Sequence, residues 1–222
     1  MFPFPFSFLS GAASDVPVEQ ISNAQAMSFN GTDAYIQGGN IGISGNATFS
    51  ISYWAYWDGS VFSSDYTSVV GNSTFSTPNG LSTTWKDGRP ALDFWAVRYR
   101  ADSALLTKKW YHLVFTKTTG AISTTSKIYV DGVEVNGSLE GADTTPNITN
   151  SNLIIGRLNN VSSRYWNGKL DEVAIFNTAL SAEKITEIYD ATAVVGGVPQ
   201  TANLFTGGLA SSLVYWNRMG DS

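Results

Sequence analysis

Carboxyl groups are the first place to look for chemistry in this chain. A retaining glycosidase needs two of them about 5–5.5 Å apart, one as nucleophile and one as acid. On a strand, that geometry requires acidic residues at alternate positions, so that both side chains point the same way. No stretch has this arrangement: Asp171 and Glu172 are adjacent, which predicts side chains on opposite faces of a sheet. The chain is therefore read as a non-enzyme. His112 is the single histidine, and no serine is marked by spacing as its partner in a nucleophilic triad. A structural role is expected for it, with its ring nitrogens hydrogen-bonded inside a core.

Sugar recognition needs exposed aromatic rings beside hydrogen-bonding groups. Trp57, Tyr66, Trp85, Trp95, Tyr99, Tyr165 and Trp166 form the pool. Aromatic residues bury large areas and dominate cores, so most are expected to pack inside. Tyr66, Tyr99 and Tyr165 stand nearest to predicted loops and are the expected ligand-binding residues.

Strands must position these groups. Phe49, Ile51, Tyr53, Ala55 and Trp57 alternate with Ser50, Ser52, Trp54 and Tyr56. Aromatic residues on both faces predict a central strand covered on each side. Asp87-Gly88 and Asp131-Gly132, flanked by alternating apolar residues, predict two-residue hairpin turns. Residues 60–67, 118–125 and 136–150 read as long polar loops. Strand signals at short intervals with turns between them are the pattern of an all-β sandwich or jelly roll.

Only 14% of the 222 residues are charged, and the net charge is −5. A run of nucleic-acid phosphates would find no Lys/Arg cluster to neutralise it. No stretch has the ~18 consecutive apolar residues of a membrane helix. There is no cysteine, so disulfides contribute nothing.

The most informative stretch is NGKLDEVAIFNTALSAEKITEIY, Asn167 to Tyr189. Asn167-Gly168 reads as a turn and Lys169 to Phe176 as a strand. Ser181 reads as the cap of a short helix whose Ile185, Ile188 and Tyr189 share one face. This order resembles the closing signature of laminin-G-like domains, within the concanavalin A-like lectin superfamily. AMSFNGTDAYI (Ala26 to Ile36), FSISYW (Phe49 to Trp54), WYHLVF (Trp110 to Phe115), KIYVDGV (Lys127 to Val133) and LIIGR (Leu153 to Arg157) resemble further motifs of that family, in its order.

The resemblance covers about residues 24 to 190 and implies a jelly-roll sandwich of two antiparallel sheets with one short C-terminal helix. It also implies one calcium ion (Ca2+), with Asp33 and Asp171 at the family's acidic positions. Against the ion stands a plainer reading: Asp33 closes its own turn and Asp171 bonds to backbone amides.

Two segments flank the sandwich, an arm of residues 1–23 and a tail of residues 191–222. The arm opens MFPFPFSFLS. It lacks the positive start of a signal peptide, since the first Lys or Arg is Lys86, and Pro3 and Pro5 break its apolar run. Prolines hold such a segment extended, which places Phe2, Phe4, Phe6 and Phe8 on one side. They are expected either to cover their own domain or to dock on a neighbouring subunit, docking being preferred. The tail ends in SLVYWNRMGDS, similar to the strand that precedes the family's opening motif. It is open to pairing with its own sandwich, pairing with a neighbour, or beginning another repeat. These features point to a non-catalytic virion structural protein, a phage capsid decoration, fibre or tail component, assembled with neighbouring subunits through both extensions and able to bind host glycans. The alternative is a carbohydrate-binding adhesin module on a bacterial cell surface.

Overall fold

A computed structural model describes residues 17–59, 66–72, 77–149, 152–158 and 164–220. The docking candidates Phe2, Phe4, Phe6 and Phe8 lie outside the described residues. The chain begins with β1 (Gln20–Ile21), β2 (Met27–Asn30), β3 (Ile36–Asn40), β4 (Phe49–Trp57) and β5 (Thr67–Asn72). Then come β6 (Ser82–Lys86), β7 (Arg89–Asp93), β8 (Arg98–Ala101), β9 (Trp110–Lys117) and a single helical turn, α1 (Ile122–Thr125). Next are β10 (Ser126–Val130), β11 (Val133–Val135), β12 (Gly137–Glu140) and β13 (Asn152–Ile155). The long β14 (Asn167–Phe176) leads to α2 (Ala182–Ala191), β15 (Thr201–Ala202) and β16 (Leu213–Asn217).

Two antiparallel sheets face each other, as a concanavalin A-like jelly roll requires. The first runs β11-β10-β9-β4-β14, and the second runs β12-β8-β7-β6-β5-β13-β3. The far edge of β14 is shared: β2 pairs along 167–170 and β16 along 173–176. Between these two pairings the register with β4 breaks, and Glu172 takes a positive φ of 49°. That is a β-bulge, which lets one strand serve two neighbours on one side. The tail thus joins its own sandwich through β16, while β1 and β15 form a small ladder of their own.

The core lies between the sheets. Phe49, Ile51, Tyr53 and Ala55 from β4 meet Trp85, Leu92 and Leu153 from the second sheet, all buried. The opposite face of β4 is buried too, because α2 and the tail cover the first sheet. Val114, Ala174 and Phe176 pack there against Ile185, Ile188, Ala202, Leu204 and Leu209. A ten-residue helix is marginal on its own. Burying Ile185 and Ile188 contributes roughly 2 kcal/mol each and settles α2 on the sheet. The Ser181 hydroxyl caps it by accepting the Lys184 amide.

Both Asp-Gly hairpins form, with positive φ at Asp87, Gly88, Asp131 and Gly132. Three local expectations need correcting. Asn167-Gly168 is no turn; it is the start of β14, paired with β2 on one side, with Gly168 opposite Trp57 of β4 on the other. Glycine is needed there because a Cβ would lie 2.1 Å from the Tyr56 carbonyl oxygen. The polar stretches 118–125 and 136–150 also hold α1 and β12, the latter pairing with β8.

Candidate functional site

The hairpin β6–β7 turns Thr83, Trp85 and Leu92 inward and leaves Ser82, Thr84 and Asp93 on the outer face. Asp93 sits directly opposite Ser82. After Asp93 the chain swings through Trp95 and Ala96, both in the left-handed region (φ 60° and 65°), before starting β8. Two consecutive non-glycine residues in that region are uncommon. Thr77 fastens this turn by donating to the Trp95 carbonyl at 2.6 Å.

Ser82, Thr84 and Asp93 form the floor of a cavity of about 210 Å³, walled by Tyr66, Trp95, Ala96, Leu158 and Arg164, with Arg98 beside them. Period-two spacing on β8 sends Arg98 and Arg100 to this outer face, while Tyr99 points to the core. Arg98 donates from Nε to Asp93 Oδ2 at 2.8 Å and lies 3.5 Å from Glu140. Its guanidinium stacks 3.8 Å from the centre of the Tyr66 ring. Arg100 pairs with Glu140, which also accepts the Tyr66 hydroxyl. The Arg164 guanidinium lies 6.0 Å from the Trp95 ring.

Burial raises the Asp93 carboxyl above its usual range, against the pull of Arg98. Glu140 goes the other way. Partial burial works to raise it, but the Tyr66 hydroxyl and the charges of Arg100 and Arg98 together hold it low. Asp93 Oδ1 and Thr84 Oγ1 are both buried and make no well-formed hydrogen bond among the described residues. The cavity combines aromatic walls, hydroxyl groups and one carboxylate, which suits a small polyhydroxylated ligand.

Tyr66 alone of the three expected ligand-binding tyrosines lines this cavity. Tyr99 is on the core side of β8, where it packs against the inter-sheet cluster. Tyr165 pairs in an isolated bridge with Arg157 and sits between Arg164, a wall, and Trp166, a core residue 5.4 Å from Trp85. Trp95, which the sequence reading leaves to packing, is a wall instead. Nothing in the sequence marks Asp93 or Thr84 beyond the alternation Arg98–Tyr99–Arg100, which signals an outward charged face.

Asp33 and Asp171 do not come together. They follow opposite ends of the β2–β14 pairing, roughly 10 Å apart at strand spacing. Asp33 Oδ1 accepts from Asn30 at 2.7 Å in an exposed turn. Asp171 is fully buried and accepts from Asn23 at 2.8 Å and from the Glu172 amide at 2.9 Å. Among the described residues no three His, Asp or Glu gather as a metal set. The surroundings of Asp33 and Asp171 therefore do not fit a shared calcium ion. Both carboxylates at the bulge are instead turned to the covering segments, since Glu172 accepts from Thr201 and from Trp216 Nε1 at 3.0 Å. That corrects the expectation of opposite faces.

His112 does have a serine neighbour: Ser52 Oγ lies 2.9 Å from Nε2. The pair is sealed between Trp54 and Tyr189, and burial drives the His112 pKa down to about 3. Nδ1 has no partner among the described residues, so no acid orients the ring. The pair is structural.

A family model described as the concanavalin A-like lectin/glucanases superfamily matches residues 30–186. The chain belongs to this superfamily. No curated protein matches it by sequence. Among solved structures, this superfamily member is similar to a protein of Bacteroides ovatus assigned as carbohydrate binding, at 19% identity and a TM-score of 0.61. That match covers 93% of this chain but only 53% of the other, so the chain spans about half the length of that relative. Domain 4 of AbnA, an extracellular arabinanase of Geobacillus stearothermophilus solved with arabinotriose, matches at 22% identity and a TM-score of 0.56, over 77% of this chain and 80% of that one. A heptameric SAP-like pentraxin from Limulus polyphemus matches at 14% identity and a TM-score of 0.53, over 79% and 82%. At these identities the likeness establishes the fold.

Proposed function

We propose that this chain is a non-catalytic carbohydrate-binding module, displayed on a virion, with its sugar site in the cavity above Ser82, Thr84 and Asp93. One observation carries the reading: two aromatic walls, Tyr66 and Trp95, flank a polar floor in a cavity on the outer face of a rigid sheet. Stacking surfaces beside a few placed hydrogen-bonding groups are what a sugar ring needs. Solved relatives described as carbohydrate binding, or as bound to arabinotriose, support it. Asp93 is the one carboxylate among the cavity's described walls, and the neighbouring Glu140 is taken up by Arg98, Arg100 and the Tyr66 hydroxyl, which supports binding over hydrolysis.

The placing of Val18 and the tail supports display. Val18, β15 and the tail pack over the outer face of the first sheet, whereas the cavity opens on the outer face of the second. An arm leaving beside Val18 would fasten the module from behind and leave the sugar site outward. The Phe-rich composition of residues 1–8 supports docking on a particle or scaffold. The adhesin reading keeps the same site and moves it to a bacterial surface, in line with the bacterial source of both carbohydrate-related relatives.

A glycan array with the full chain tests binding, and retention of no glycan ends the carbohydrate reading. Deleting residues 1–13 tests display: normal occupancy on purified particles would rule out the arm as the docking element, and recovery of the intact protein only in the cell envelope would favour the adhesin.

A further inference from the structure

We infer that the cavity reads the terminal residue of a neutral sugar and discriminates against acidic ones, a deepening that rests on the carbohydrate-binding reading above. The polar groups of the floor carry this inference. Asp93 is 6% exposed and Thr84 2% exposed, both line the cavity, Thr84 Oγ1 makes no hydrogen bond among the described residues, and Asp93 Oδ1 makes no well-formed one, with only the Trp95 backbone amide directed at the carboxylate. Leaving a buried polar group unsatisfied is costly, so a ligand that bonds to Thr84 Oγ1 and completes the Asp93 carboxylate's bonding gains from both. An ionised carboxylate only accepts, while a hydroxyl donates or accepts. The fitting ligand therefore brings a donor to Asp93 and either partner to Thr84. Two neighbouring sugar hydroxyls do this, with the ring against Trp95.

The cations around the site are already committed. Arg98 is held by Asp93 and Glu140, Arg100 by Glu140, and Arg164 lies over the Trp95 ring at 6.0 Å. A sugar carboxylate at the floor would meet the Asp93 charge, where the nearest guanidinium, Arg98, is already paired. Size sets the other limit. At about 210 Å³ the cavity is smaller than the roughly 300–1,000 Å³ typical of drug-sized ligands. That leaves room for one ring. An internal ring continues into the chain on two sides, a terminal ring on one, so the end of a glycan is what fits.

The test is calorimetric titration of the full chain with methyl glycosides of neutral hexoses, N-acetylhexosamines and pentoses, with glucuronic and sialic acids, and with oligosaccharides that carry the best neutral residue at an end or only internally. A neutral methyl glycoside is expected to bind within about threefold of the oligosaccharide ending in it, and at least about tenfold tighter than its acidic counterpart. Thr84→Val, which keeps the side-chain shape, is expected to weaken that binding at least about fivefold with an unchanged melting temperature; Asp93→Asn is expected to weaken it at least about tenfold. Equal or tighter binding of acidic sugars, equal binding of internal residues, or indifference to Thr84→Val overturns this inference while the carbohydrate reading stands. Binding of no sugar, neutral or acidic, overturns both.

Discussion

Arg98 covers the Tyr66 ring at 3.8 Å while the same guanidinium neutralises Asp93 from 2.8 Å. One side chain from β8 thus braces a cavity wall and compensates the buried carboxylate of the floor. Removing it as Arg98→Ala leaves the desolvated Asp93 carboxyl without its counter-ion. A loss of about 3 kcal/mol in urea unfolding is expected, because breaking a buried pair from one side costs far more than the pair contributes. Adding Asp93→Asn should recover part of that loss. A double variant as unstable as the sum of the two singles would show that the ion pair has no energetic coupling.

The neutral state of His112 ties stability to pH. Its pKa falls to about 3 in the folded chain through burial, against an ordinary value near 6.5. The unfolded chain therefore binds more protons between pH 6.5 and 3, so this contribution is complete above 6.5 and is lost as pH falls toward 3. Its full size is roughly 5 kcal/mol. His112→Gln, able to keep a bond to Ser52, should flatten the decline in unfolding free energy over that window. Curves of equal slope for variant and parent across pH 6.5–3 would refute the assignment.

Gly168 shows how close two strands approach at the start of β14. Its φ of 147° is open to few side chains, and an added Cβ would press into the Tyr56 carbonyl oxygen at 2.1 Å. Backbone cannot yield as a side-chain tip can, so β4 and β14 must part. Gly168→Ala is expected to destabilise the protein by roughly 3 kcal/mol or more, seen as a lower urea midpoint. Gly39→Ala is the control, since nothing lies within 4 Å of its Cβ position.

What could be read from the residues alone was whatever depends on near neighbours in the chain. Asp87-Gly88 and Asp131-Gly132 declare their hairpins locally, and the aromatic residues on both faces of β4 announce a strand with two covers. Gly168 misled because glycine serves a turn and a close crossing alike, and only the partner strand tells which. The bulge misled in a similar way, since alternation holds only while the ladder is regular. The site was half visible. Tyr66 was marked by its loop, but Trp95 became a wall only because the chain after Asp93 takes left-handed φ values. Ser52 was invisible as the partner of His112 because the two are 60 residues apart and meet across β4 and β9.

The tail supplies the last prediction. The family motifs end near residue 190, which invites a minimal module of residues 24–190. That fragment lacks β16, so the edge of β14 from Val173 to Phe176 loses its partner. It also lacks Asn23, Thr201 and Trp216, the groups that satisfy the buried Asp171 and Glu172 carboxylates. Ala202, Leu204 and Leu209 go as well, uncovering Phe176 and Ile188. Unpaired strand edge, two stripped acids and bared apolar surface all act in one direction. The fragment should melt about 10 °C or more below the full chain and bind a hydrophobic dye, as a loss of several kcal/mol implies at this size. If it melts within roughly 2 °C of the full chain, the tail is an attachment to the sandwich and contributes nothing to its stability.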